Sequence, residues 1–460
     1  MADTIIALAT PAGRSGIGVV RLSGTDSLSF SARLCGERSV DPEPRYSHLK
    51  SLVDFESGEV IDEAIVTYFK APHSFTGEDV VEISCHGSPV LLRQVIDSCL
   101  KLGARLAEPG EFTLRALSNG RMDLAEAEAV RDLIDAQTAA AARQAVRQMR
   151  GEFSHKLQPI KDELLNSIVV LESALEFVED DLPEVQAAGL RDKLSGIAAD
   201  IGMISATFKA GKLIRDGLRV TLVGRPNVGK SSLFNALLGS DRAIVTEIPG
   251  TTRDHIHERF VVNDIPVSLI DTAGLRETDD IVESIGVERS RRVIADADLV
   301  MVMIDSSEEI SEDDLQILES VRDIPHIVVI NKIDKVETED VKRSIQKIKT
   351  SSPGAPFEFA TVSAKLGMGI DDLKRAIVDR FAADNKGNSG FLVTDARHHD
   401  LLVRSRAEVL SSIELLDQKA SEEIILIGLH NALRYLGQIT GETTTEDILT
   451  RIFSTFCIGK

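Results

Sequence analysis

R-V-T-L-V-G-R-P-N-V-G-K-S-S-L-F-N-A-L-L, residues 219–238, decides the fold. A short apolar run leads into Gly224–Ser231, which fits G-x-x-x-x-G-K-[ST], and the residues after it suit a helix. Glycines let such a loop turn tightly, so that backbone N–H groups cradle phosphate at a helix N-terminus. The residues expected at the phosphates are Asn227, Val228, Gly229, Lys230, Ser231 and Ser232. Lys230 would reach the β- and γ-phosphates, and the Ser231 hydroxyl would hold Mg²⁺.

Three further stretches follow in the order a nucleotide-binding sheet requires. In I-D-T-A-G (270–274), Asp271 suits a water-mediated Mg²⁺ contact. Thr272 and Ala273 lead to Gly274, whose N–H can meet the γ-phosphate. N-K-I-D (331–334) ends the apolar run I-V-V-I. Asp334 can accept two hydrogen bonds from guanine N1–H and N2–H₂, which adenine cannot supply. Asn331 opens that motif, Lys332 would lay its stem on the base, and Ser363, Ala364 and Lys365 add a second base contact. P-G-T-T-R (249–253) supplies a switch-type threonine for Mg²⁺. The nucleotide expected is GTP. Ras-like enzymes place a water-orienting Gln directly after D-x-x-G. Here Leu275 stands there, followed by the acidic stretch E-T-D-D-I-V-E-S-I-G (277–286), so another group must organise the water.

At 460 residues the chain has room for roughly three domains. A net charge of −21 argues against a protein that coats nucleic acid through a general basic surface. No apolar run is long enough for a membrane span. The acidic start M-A-D-T predicts no secretory leader. Four scattered cysteines without a C-x-x-C pair fit a reducing cytosol. The expected location is therefore cytoplasmic, without stable membrane association.

Residues 1–117 read as mixed α/β, with strands in T-I-I-A-L-A-T, G-I-G-V-V-R-L-S, D-E-A-I-V-T-Y-F and D-V-V-E-I-S-C. A helix is expected over S-P-V-L-L-R-Q-V-I-D-S-C-L-K-L. Helix formers dominate from about 122 to 212, where Pro159 is expected to break or bend the helix. Helical texture returns near 397. The expected domains are 1–117, a helical domain split into 118–215 and 381–460, and an inserted α/β domain at 216–380 with a doubly wound parallel sheet.

From A-T-P-A-G-R-S-G-I-G-V-V-R-L-S-G near the start to F-C-I-G-K at residues 456–460, the chain resembles the MnmE (TrmE) family of tRNA modification GTPases. The resemblance implies a homodimer working on tRNA with an FAD-dependent partner protein (MnmG/GidA) in a heterotetramer-type complex. It implies addition of a carboxymethylaminomethyl group to C5 of the wobble uridine. The N-terminal domain would bind a reduced folate, 5-formyl- or methylene-tetrahydrofolate, at Arg21, Glu82, Arg121 and Lys460. Arg121 departs from the family's lysine, keeping the charge but not the point geometry. In the Ras-like G domain, K⁺ would replace the arginine finger, held by Asn227, Thr246, Ile248 and Thr251, with Thr252 on Mg²⁺. Glu247, Pro249 and Gly250 belong to the same loop. Glu283 would take the place of the missing Gln. The oxygen ligands suit a hard cation.

Other features read as structural. His255 and His257 are expected on an exposed strand face, and His398–His399 at a surface or cap. S-E-D-D-L (311–315) reads as a helix N-terminus with acids on its dipole. G-R-S-G-I-G near the start runs into a strand, so it is no dinucleotide loop. C-I-G-K is a poor prenylation box, since Gly459 is not aliphatic and Lys460 is the wrong last residue. Ile448, Leu449, Ile452, Phe453 and Phe456 recur at helical spacing, which predicts a docked helix presenting Cys457. The resemblance implies a chemical role for that thiol. A ribosome-assembly GTPase without folate chemistry is the competing reading.

Overall fold

A computed structural model describes residues 3–38, 41–176, 184–239, 257–271, 297–351, 357–382 and 390–459. The chain divides into two compact units. The first comprises Met1–Ile134, Ala145–Ala199 and Arg404–Lys460. The second comprises Asp135–Gln144 and Asp200–Val403.

The first unit opens with a six-stranded sheet built from β1 (Ile5–Leu8), β2 (Ser15–Ser23), β3 (Ser47–Val53), β4 (Val60–Phe69), β5 (Val80–Gly87) and β6 (Arg105–Leu106). Their spatial order is β3-β4-β5-β2-β1-β6. Alternation sends Val20, Leu22, Val81 and Ile83 into a core that also takes Leu92, Val95 and Cys99 from helix Pro89–Lys101. Arg21 and Glu82 are register partners between those apolar residues, so both lie on the opposite face.

Helical segments complete this unit. In helix Glu152–Glu176, Phe153, Leu157, Ile160, Leu164, Ile168 and Leu171 are buried at intervals of three and four, a single apolar stripe. Pro159 lies inside that helix and does not end it, so of the break or bend expected the break does not occur. Proline removes one ladder bond, but Leu157 and Ile160 on either side are buried and hold the segment helical.

The second unit holds β7 (Leu218–Val223), β8 (His257–Val262), β9 (Ile265–Asp271), β10 (Leu299–Asp305), β11 (His326–Asn331) and β12 (Glu358–Thr361). The order is β12-β11-β10-β7-β9-β8, with every pair parallel except the β8–β9 hairpin. Asn263 and Asp264, both at positive φ, close that hairpin in two residues. β10 is buried throughout. Met301 and Met303 enter one core, Val300, Val302 and Ile304 the other, as a sheet covered on both faces demands. This is the doubly wound α/β domain expected from the sequence.

Two histidine expectations need correcting or setting aside. His398 is fully buried, and His399 stacks on Phe208 with ring centroids 4.2 Å apart, so helix Ala396–Asp417 does not open on a surface pair. An apolar neighbour outweighs the polar label that two adjacent imidazoles suggest. His255 lies outside the described residues, and His257 begins β8.

Candidate functional site

In an open parallel sheet, ligands bind beyond the carboxyl ends of the strands. Gly224 follows β7, Asp271 ends β9, Asn331 ends β11, and Ser363 follows β12. The register places Leu222 opposite Asp271 and Asp305 opposite Asn331, so these ends are level. The motifs read from sequence therefore converge on one edge.

The P-loop leads into helix Lys230–Leu238, whose free N–H groups face any phosphate seated there. Gly229 adopts φ 100°, and a Cβ on it would stand 2.4 Å from Nδ2 of Asn331. Only glycine meets both demands. Lys230 folds over the loop, its ammonium donating to the carbonyls of Gly224 (2.9 Å) and Arg225 (2.7 Å). Ser231 and Ser232 are exposed at the first helical turn. The exposed Ser231 hydroxyl is a hard oxygen donor of the kind Mg²⁺ favours, so it fits that ion.

The loops after β11 and β12 are tied to the P-loop by Asn331, which is buried. Its Nδ2 donates to the Val228 carbonyl at 2.8 Å, and its Oδ1 accepts from the Ala364 N–H at 3.1 Å. Lys332 sits at φ 63° and donates to the Asn227 carbonyl at 2.8 Å and to Asp305. Burial works to raise the Asp305 carboxyl. The Lys332 ammonium and the Ser307 hydroxyl and N–H outweigh it and hold the group below the ordinary carboxylate range. Asp334 is exposed and accepts from the Ser363 hydroxyl at 2.5 Å. That bond, aided by nearby Lys335 and Lys365, keeps its carboxyl below the ordinary range. An ionised acceptor facing outward is what the N1–H and N2–H₂ edge of guanine requires.

Asp305 was not anticipated. The signal was an acid closing the fully apolar strand L-V-M-V-M-I-D, but its role needed the neighbouring strand to be known. Asn227 has φ 64° and is exposed, leaving its side-chain oxygen open to a cation. Thr246, Glu247, Ile248, Pro249, Gly250, Thr251, Thr252, Thr272, Ala273, Gly274, Glu283 and Lys460 lie outside the described residues.

In the first unit, Arg21 pairs with Glu82 (Nη2–Oε1 2.7 Å) and lies between the rings of Phe75 and Phe112, 5.9 and 5.8 Å from their centroids. Arg21 also donates to the Gly459 carbonyl at 3.3 Å. Gly459 has φ 96°, and a Cβ there would lie 2.5 Å from the Leu8 carbonyl oxygen. The Gly110 N–H donates to the Cys457 carbonyl at 3.4 Å, while Phe453 and Phe456 pack on Leu124 and Ala127. The chain's last described residues thus dock beside Arg21. The helix there is shorter than its apolar spacing suggests, ending at Phe453, and Phe456 packs from the turn beyond it. Arg121 is exposed near Gly77. A guanidinium beside two aromatic rings fits a flat ligand carrying carboxylates, such as a reduced folate. Cys457 is exposed, whereas burial pushes the thiols of Cys35 and Cys85 up to about 11 and that of Cys99 up to about 12.

Residues 124–457 match the family described as the MnmE helical domain, and residues 4–121 match the GTP-binding protein TrmE N-terminus. The chain belongs to the MnmE (TrmE) family. A tRNA modification GTPase MnmE of Aquifex aeolicus is 44% identical over 100% of both chains. One of Koribacter versatilis is 45% identical over 100% of this chain and 99% of that one. Among solved structures, Aquifex aeolicus Era bound to GDP.AlF4- is 28% identical, covering 42% of this chain and 66% of that one, with a TM-score of 0.31.

Proposed function

We propose that this MnmE-family chain is a GTP hydrolase serving tRNA modification. It would act in adding a carboxymethylaminomethyl group to C5 of the wobble uridine, with a reduced folate supplying the one-carbon unit. The observation that carries the reading is the convergence of the P-loop, Asn331, Lys332, Asp334 and Ser363 at the carboxyl ends of one parallel sheet, in a chain whose other unit docks Gly459 on Arg21. Full-length likeness to proteins named tRNA modification GTPase MnmE supports it. Domain bounds of 1–117, 118–215, 216–380 and 381–460 are part of the proposal, as are the homodimer, the FAD-dependent partner and a cytoplasmic location.

The chain's residues divide the work. Asp334 reads guanine, Lys332 covers the base and steadies Asn227, and Lys230 with the loop N–H groups grips phosphate. Ser231, Thr252 and Asp271 would hold Mg²⁺, directly or through water; Asn227, Thr246, Ile248 and Thr251 would hold K⁺. Cations bound there neutralise charge that develops on the γ-phosphate. Glu283 would orient the attacking water by accepting its hydrogen bond. Arg21, Glu82, Arg121 and Lys460 would hold the folate beside Cys457. Mass spectrometry of wobble nucleosides, in a strain lacking the family protein and complemented with this chain, tests the reading. Restored C5 modification is expected; none, with the chain expressed and hydrolysing GTP, would refute it.

A further inference from the structure

The N-terminal site leans on the turn S-F-T-G-E-D at Ser74–Asp79. Phe75 supplies one of the two rings flanking Arg21. Gly77 packs against Arg121 so closely that a Cβ would lie 3.2 Å from the arginine Cγ. The turn therefore touches two of the residues assigned to the folate.

Its anchors run to Ser23, Asn119 and Arg115. Thr76 is fully buried, and its hydroxyl shares a 2.7 Å hydrogen bond with the Ser23 hydroxyl while accepting the Glu78 N–H at 3.2 Å. The Thr76 carbonyl accepts from Asn119 Nδ2 at 2.7 Å, two residues before Arg121. The Glu78 carboxylate accepts from Ser23 (2.8 Å) and from Nη1 of Arg115 (3.1 Å). Arg115 is only 2% exposed, and it also donates to the Asp3 carbonyl, the Asp3 carboxylate and Glu111, each at 2.9 Å. Such buried charge is costly to desolvate, and apolar packing would stabilise the unit as well or better. What apolar packing lacks is direction: a guanidinium fork fixes its partners in angle as well as distance.

We propose that Thr76, Glu78 and Arg115 are positioning residues of the folate site. They hold the 74–79 turn so that Phe75 and Gly77 set Arg21 and Arg121 at the spacing the ligand needs. None of the three touches the ligand. The inference rests on the folate reading above.

The test is a double-mutant cycle in the full-length protein, with 5-formyltetrahydrofolate affinity read by equilibrium dialysis. Thr76→Val keeps the shape but strips two buried hydrogen bonds, and should weaken binding about 10-fold, while Thr76→Ser stays within about threefold of the parent. If Thr76 acts through Arg21, Thr76→Val should cost less than about threefold in an Arg21→Lys background, because the two share one interaction. Arg115→Lys, which keeps the charge and loses the fork, should behave as Thr76→Val does. GTP turnover, carried by the other unit, checks that each variant is intact. Unchanged affinity in Thr76→Val, or losses that simply multiply, would overturn the positioning role while leaving the folate reading in place. An unmodified protein that fails to bind the folate would sink both.

Discussion

The Lys332 ammonium donates to the main-chain oxygen of Asn227 at 2.8 Å, joining the residue proposed to cover the base to the P-loop residue proposed for K⁺. The same ammonium is held by Asp305, so one cation links three loops. The proposed base and γ-phosphate sites therefore share a support. Asp305→Asn should destabilise the second unit by about 1–3 kcal/mol at neutral pH, since Lys332 is only partly exposed. The Asp305 carboxyl sits below its ordinary value in the folded chain, so its contribution is complete above the unfolded value of about 4. It is lost as pH falls through the lowered folded value. Urea unfolding of parent and variant should accordingly converge in acid and differ at pH 7.

Asp334→Asn should move base preference from guanine toward xanthine. The exposed carboxylate that accepts two donors becomes a mixed donor and acceptor, which matches the xanthine edge. Competition between GTP and XTP for the protein measures this directly, and an unchanged GTP preference would remove Asp334 from the base site.

Hydrolysis should depend on K⁺ and hardly run in Na⁺. A drop of about 10-fold or more is expected, because arginine fingers in the corresponding place give roughly 10³–10⁵. Asn227→Ala should abolish the difference between the ions while Asn331 still holds the P-loop at Val228. Equal parental rates in the two salts would dispose of the cation assignment.

Glu283→Ala should leave GTP affinity near the parent value and slow turnover by about 10²-fold or more, the scale of a lost general base or water-orienting group. Leu275 cannot do that work. Weak GTP binding with normal turnover at saturation would show that Glu283 belongs to the binding surface instead.

Cys457→Ser should fold, dimerise and hydrolyse GTP normally, yet fail to support wobble-uridine modification. As Cys457 is exposed and the other three thiols are raised by burial, alkylation of the native protein should label it first. Full modification by the Ser variant would return the thiol to a packing role.

The nucleotide edge was legible because its signals are local: Gly229, Lys230, Asn331 and Asp334 each sit in a short motif whose spacing carries the chemistry. Asp305 was not, since its partner Lys332 is 27 residues away and only the parallel pairing of β10 with β11 makes them neighbours. β3 escaped notice for a different reason. In S-H-L-K-S-L-V, Leu49 points outward at 71% exposure while His48 and Lys50 are half-buried, which inverts the usual alternation. The Ser74–Asp79 turn has ordinary turn composition, and its significance arises from Arg115, which lies 37 residues beyond Glu78.

The bond from Arg21 to Gly459 spans 438 residues of chain. At synthesis rates of about 5–20 residues per second, on the order of 20 to 90 s separate the emergence of its two ends from the ribosome. The β-sheet carrying Arg21 has its own core, but Arg21 lacks its Gly459 partner until that residue is made. Until then Arg21 keeps its Glu82 partner but lacks the Gly459 carbonyl. That contact can form only after residue 459 has been made, so it closes long after the sheet that carries Arg21.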